Sequence, residues 1–147
     1  MKKLNRKGFT LVELLAVIII LAIVVGITIP AVLSTVNSSK DKAFQTAAET
    51  AADWLDRQYQ SYMIGDENVS AVDTNYKSQC VTSGTAGNCT SSDGLIISAG
   101  LKTSNVSSLT ATFSNGRYCV TITAATGGDY AGTSTTKKGG NCTEKDV

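Results

Sequence analysis

Leu14 to Ser39 holds no charged side chain in 26 consecutive positions, and its centre, Leu14 to Val25, reads LLAVIIILAIVV without interruption. A helix needs about 20 mostly apolar residues to cross about 30 Å of hydrocarbon, so this run is long enough to span a bilayer. Its flanks are asymmetric. Lys2, Lys3, Arg6 and Lys7 precede it with no acid among them, and no comparable basic cluster follows for many residues. The positive-inside rule therefore predicts a cytoplasmic N-terminus and an exported C-terminal part. Glu13 is the anomaly. It stands at the start of the apolar run, where burying its charge costs about 2.5–3.5 kcal/mol on insertion scales. A plain anchor has no use for such a residue, so it asks for a cationic partner.

A conventional secretory signal shares the basic start and the apolar core. It is normally shorter, lacks an acid at the edge of the core and ends in a small-x-small cleavage site. Here the apolar run continues through Ile29, Pro30, Ala31, Val32 and Leu33. On these residues alone, both an anchor and an unusual signal remain open.

The rest of the chain narrows the functional classes. Its 147 residues suit one domain of modest size. The formal net charge is +1, but beyond the basic start nine basic residues face 12 acidic ones, a net −3. Bulk charge thus argues against a nucleic-acid-binding body. Histidine is absent, which removes the commonest general base and transition-metal ligand. No Gly-x-Ser-x-Gly elbow occurs either. The expectation is a protein that is not an enzyme and needs no cofactor. Ser and Thr number 34 against one Pro, a balance that favours strands and loops with hydroxyls in water over a Pro-rich disordered linker.

Lys7-Gly8-Phe9-Thr10-Leu11-Val12-Glu13-Leu14 closely resembles the type III signal of bacterial type IV pilins and pseudopilins. The resemblance covers about the first 35 residues and implies several things. A prepilin peptidase would cut after Gly8, and the new N-terminal residue, Phe9, would be N-methylated. Glu13 would take the fifth mature position that is the hallmark of these proteins, and Pro30 matches a proline further along. The implied partners are further copies of the chain in a homopolymer, the membrane before assembly, the peptidase and the assembly machinery. A host surface or DNA would be a further partner of such a filament. The protein would be single-pass in the cell membrane, N-in and C-out, then extracellular in the pilus. Phe9, Glu13 and Pro30 would serve assembly, with the Phe9 amine of one subunit meeting the Glu13 carboxylate of a neighbour. The two groups lie four residues apart, so an axial offset of about one turn, roughly 5 Å, brings them together. Such a pair is better suited to setting register than to adding stability.

The expected architecture is α+β, a long N-terminal helix packed against a small antiparallel sheet. It divides into a leader at 1–8, a transmembrane or filament-core helix at 9–35, an amphipathic half at 36–64 and an exported head at 65–147. In the amphipathic half, Phe44, Ala47, Ala48, Ala51, Leu55, Tyr59 and Tyr62 recur at spacings of three and four. Asp53 and Arg57 have the favourable acid-first order for a helical ion pair. Gly65 offers the stop. Gly26-Ile27-Thr28-Ile29-Pro30 is the weak stretch, since an interior proline removes a hydrogen bond and clashes with the preceding turn. It reads either as a simple kink or, as the resemblance implies, as a segment that unwinds on packing.

In the head, Asn115-Gly116 between Leu109–Ser114 and Arg117–Thr123 predicts a hairpin with a type I′ turn. That register pairs Phe113 with Tyr118, Ala111 with Val120 and Leu109 with Ile122 on one face. The opposite face, with Cys119, points to solvent. A third strand is expected at Tyr130 to Thr135. Leu95 to Leu101 reads as a short helix capped at Ser92 or Asp93 and ending at Gly100, with a strand as the second reading. Asp66, Glu67 and Asp73 lack any calcium-loop spacing and read as a solvated loop.

All four cysteines, Cys80, Cys89, Cys119 and Cys142, lie in the exported part, where disulfides persist. Gaps of 8, 29 and 22 residues lack the short knuckles of a zinc site, so no metal is expected. Cys80-Val81-Thr82 before Gly87-Asn88-Cys89-Thr90 is echoed by Cys119-Val120-Thr121 before Gly140-Asn141-Cys142-Thr143. The echo favours sequential pairing among the three possible connectivities.

Overall fold

A computed structural model describes residues 10–65 and 72–142. The elements run α1 (Leu11–Ile64), α2 (Thr74–Cys80), β1 (Val81–Thr82), β2 (Thr85–Ala86), α3 (Asp93–Ser98), β3 (Val106–Ser114), β4 (Arg117–Ala124) and β5 (Thr136–Gly140). The class is α+β. The chain divides into two compact units, Met1–Val36 and Asn37–Val147.

In the first unit the helix is apolar on every side. Leu11, Ile18, Leu21, Ile27 and Leu33 are all more than half exposed within the single chain. This stretch is long and apolar enough to cross a membrane. Among the described residues, none of its large apolar side chains is buried.

In the second unit α1 covers antiparallel sheets. Phe44, Ala48, Ala51, Ala52 and Leu55 are its buried face, and they meet Leu109, Ala111, Tyr118, Val120 and Ile122 of the larger sheet in one core. Three alanines in this face let strand backbone approach the helix closely. Gly65, with φ +63°, ends α1 in the left-handed conformation that glycine adopts at no steric cost.

The larger sheet has the order β3-β4-β5. The hairpin turns at Asn115 (φ 54°) and Gly116 (φ 77°), and its register pairs Phe113 with Tyr118, Ala111 with Val120 and Leu109 with Ile122. The predicted short helix is α3, capped by the Ser92 side chain on the Leu95 N–H. The third strand lies later than expected. Residues 130–135 form turns instead, with the Thr133 N–H and Oγ1 both donating to the Tyr130 carbonyl. The Tyr130 ring stacks on Phe44 at 4.7 Å. β5 contains Gly139 and Gly140, which a propensity reading places in a flexible tail. Their strand role comes from α1: a Cβ on Gly139 would run into the main chain of Ala48 and Glu49, and one on Gly140 into Ala52 and Tyr118. Glycine in a strand here marks close backbone approach.

Polar side chains of α1 hold that strand in place. Asp41 accepts from Lys137 Nζ at 2.7 Å and from Ser134 Oγ at 3.0 Å, and these bonds hold its carboxyl below the usual aspartate range. Gln45 Nε2 donates to the Lys138 carbonyl at 2.8 Å, and Asp56 accepts from the Tyr118 N–H at 2.8 Å. The helical pair expected between Asp53 and Arg57 does not form among the described residues. Both side chains are exposed, where such a pair is worth only a few tenths of a kcal/mol. The acids that are used, Asp41 and Asp56, reach across to the sheet instead.

Candidate functional site

Gly8 and Phe9 lie outside the described residues, so the site is described from Thr10 onward. Thr10 begins the helix. Its carbonyl accepts from the Leu14 N–H at 3.2 Å, the first helical bond. Its N–H and Oγ1 donate to Glu13 Oε2 at 2.9 and 3.0 Å, while the Glu13 N–H donates back to Thr10 Oγ1 at 3.3 Å. This is a reciprocal capping box, in which the N-cap hydroxyl and the third-position carboxylate satisfy each other's backbone donors. The Thr-x-x-Glu spacing signals it in the sequence, so Glu13 has a local partner in Thr10 besides any cation it meets. Glu13 Oε1 makes no hydrogen bond among the described residues.

Helix α1 passes through Pro30 without interruption. Proline supplies no N–H for the carbonyl four residues back, at Gly26. Thr28 Oγ1 donates to the Val25 carbonyl at 3.3 Å and satisfies a polar side chain in an otherwise apolar stretch. A Cβ on Gly26 would meet nothing within 4 Å. No contact among the described residues requires glycine there.

The structure joins Cys80 to Cys89 and Cys119 to Cys142, with S–S distances of 2.08 and 2.02 Å. The first bridge encloses the β1–β2 hairpin, whose Ser83-Gly84 tip has φ of 53° and 76°. The Cys89 N–H donates to the Ala111 carbonyl at 2.9 Å and ties this loop to β3. Helix α2 was not anticipated. Its signal was Asp73, whose side chain caps it by accepting from the Asn75 and Tyr76 N–H groups. Within the core, the Tyr118 hydroxyl donates to the Gly87 carbonyl at 3.2 Å and lies 3.0 Å from the Tyr76 hydroxyl. Burial pushes both phenols above their ordinary range, so they stay neutral hydrogen-bonding groups.

The two bridges differ in expected worth. The chain-entropy model assigns about 2.7 kcal/mol to the shorter loop and about 3.4 kcal/mol to the longer one. Replacing both Cys119 and Cys142 by Ser is therefore expected to lower the melting temperature further than replacing Cys80 and Cys89. Thermal unfolding of the two double variants checks this, and the reverse order would contradict it.

Residues 3–29 match the family model of the prokaryotic N-terminal methylation motif. No curated protein and no solved structure matches the chain. The match spans Gly8, Phe9, the Thr10–Glu13 capping box and the apolar run as far as Ile29. Over residues 3–29 the chain thus carries the N-terminal methylation motif, the prepilin-type signal of type IV pilins and pseudopilins.

Proposed function

We propose that this chain is the repeating structural subunit, the major pilin, of a type IV pilus. In this reading the leader 1–8 is cut off after Gly8 and Phe9 is N-methylated. Segment 9–35 is then the membrane anchor and later the filament core, 36–64 the amphipathic half of the helix, and 65–147 the exported head. The anchor is N-in and C-out before assembly. Assembly exchanges lipid for neighbouring helices around the apolar stretch of α1. Phe9 and Glu13 pair between subunits, with Glu13 Oε1, which makes no hydrogen bond among the described residues, as the acceptor. Gly26 and Pro30 supply a stretch that repacks. The observation that carries the reading is a helix with large apolar side chains exposed on all sides and a single carboxylate at its start.

Intact-mass spectrometry of surface-recovered protein tests it. The expected mass is that of residues 9–147 plus one methyl group on the Phe9 nitrogen, with both disulfides closed. A mass that still includes Met1 to Gly8, or that begins beyond Leu33, would end the reading.

A minor pilin or pseudopilin with a ligand-binding head is the second reading. A groove of about 320 Å³ lined by Tyr59, Tyr62, Met63 and Phe113 favours it, because aromatic-lined clefts of this size suit small ligands. Abundance in sheared filaments separates the two. A major subunit dominates the preparation, whereas a minor one is a trace component.

A further inference from the structure

The two disulfides differ in how reagents reach them. Cys80 is fully buried and Cys89 is 6% exposed. In the other bridge Cys119 is 4% exposed, but Cys142 is only half-buried. Cys142 also lines an open hollow of about 430 Å³, with Glu49, Asp53, Arg117 and Lys138 around it. Two acids and two bases oppose one another there, so access and not net field sets how readily a thiolate enters.

We propose that the Cys119–Cys142 bridge is a thiol-sensitive clasp on the C-terminal end of the sheet, which a small dithiol opens while Cys80–Cys89 stays closed. The inference stands apart from the filament reading. A thiolate of the dithiol enters the hollow and attacks Sγ of Cys142. The sulfur–sulfur bond breaks, and Cys119 leaves as a thiolate that takes a proton from water. The second thiolate of the reagent then attacks the mixed disulfide and releases Cys142. Two electrons pass to the protein, which gains two thiols, and the reagent becomes a cyclic disulfide.

Opening has a local consequence because of what flanks Cys142. The strand itself is tied by Lys137 to Asp41, by the Lys138 carbonyl to Gln45, and by pairing with β4. Among the described residues these ties to α1 lie before Gly139. After Lys138 come Gly139 and Gly140, which have no side chains to anchor them, and Asn141, whose N–H donates to the Tyr118 carbonyl at 3.1 Å. With the clasp open, fraying starts at Asn141 and runs back towards Gly139. The hollow then widens onto the Glu49 and Asp53 side of α1.

The test uses the full-length protein in detergent, treated with graded dithiothreitol, quenched with iodoacetamide and mapped by mass spectrometry. Cys119 and Cys142 are expected to be alkylated at least about tenfold faster than Cys80 and Cys89. The Cys80→Ser/Cys89→Ser variant should open its remaining bridge at the wild-type rate. Hydrogen exchange on the singly reduced species should rise at residues 136–142 and stay low at 106–123. Equal rates for both bridges, or Cys80 and Cys89 reacting first, overturn the proposal. So does a loss of protection across β3 and β4, which would mean that reduction follows unfolding of the whole head.

Discussion

Glu13→Val is expected to stay in the membrane and to form almost no filaments in a strain with no wild-type copy. Insertion is not the weak step in this variant, because removing the carboxylate lowers the cost of placing the start of the apolar run in hydrocarbon. Two things are lost. One is the local bonding to the Thr10 N–H and hydroxyl, and the other is the proposed acceptor for a neighbour's Phe9 amine. Glu13→Gln separates them. Its amide oxygen still accepts from Thr10, so the start of the helix stays capped, but it carries no charge to meet an ammonium group. In the register proposal Glu13→Gln also fails to assemble. If it makes filaments as well as wild type, the residue serves only as a cap. If Glu13→Val does so, neither role matters to assembly. Electron microscopy and quantitation of sheared surface protein, beside a membrane-fraction control, read both variants.

The parts of this fold that local chemistry dictates were legible beforehand. The Asn115-Gly116 turn accepts two positive φ values, and period-two alternation on both sides of it leaves one register that puts Leu109, Ala111, Val120 and Ile122 together. The helix stop at Gly65 and the cap at Ser92 follow from similarly short signals. What escaped depends on distant neighbours. Helix α2 is only seven residues long, too short for periodicity to reveal it, and only the Asp73 cap marked it. β5 escaped for a different reason. Thr136-Lys137-Lys138-Gly139-Gly140 has poor strand propensity, and the segment is a strand because α1 and β4 give it ladder bonds and a groove that only glycine fits. At the candidate site, Glu13 stood out through its charge in an apolar run. Its capping partner Thr10 is a local helix-start signal that the charge anomaly of the long apolar run does not reveal.

Gly139→Ala puts the close approach of β5 to α1 to the test, and a large fall in stability is expected. The native φ at Gly139 lies outside the left-handed region, so alanine meets no intrinsic backbone penalty there. The whole effect comes from space. The new Cβ would meet main-chain atoms of Ala48 and Glu49, which belong to a 54-residue helix and cannot swing aside like a side chain. β5, at the edge of the sheet, must yield instead. Moving it outwards strains the pairing of Gly139 with Val120 and the Gln45 bond to the Lys138 carbonyl. Overpacking of this kind costs about 1–3 kcal/mol, and each kcal/mol lowers the melting temperature of a domain this size by about 4–8 °C. Fluorescence of Trp54, the only tryptophan, reports the transition because the ring packs against the core of the head. Gly87→Ala is the control. It has no positive φ and meets nothing within 4 Å, so its melting temperature should match wild type. Ala48→Gly should not rescue Gly139→Ala, because the obstructing atoms at residue 48 are its carbonyl carbon and oxygen. A Gly139→Ala protein that melts with wild type, or one restored by Ala48→Gly, would show that main-chain approach is not what selects glycine in this strand.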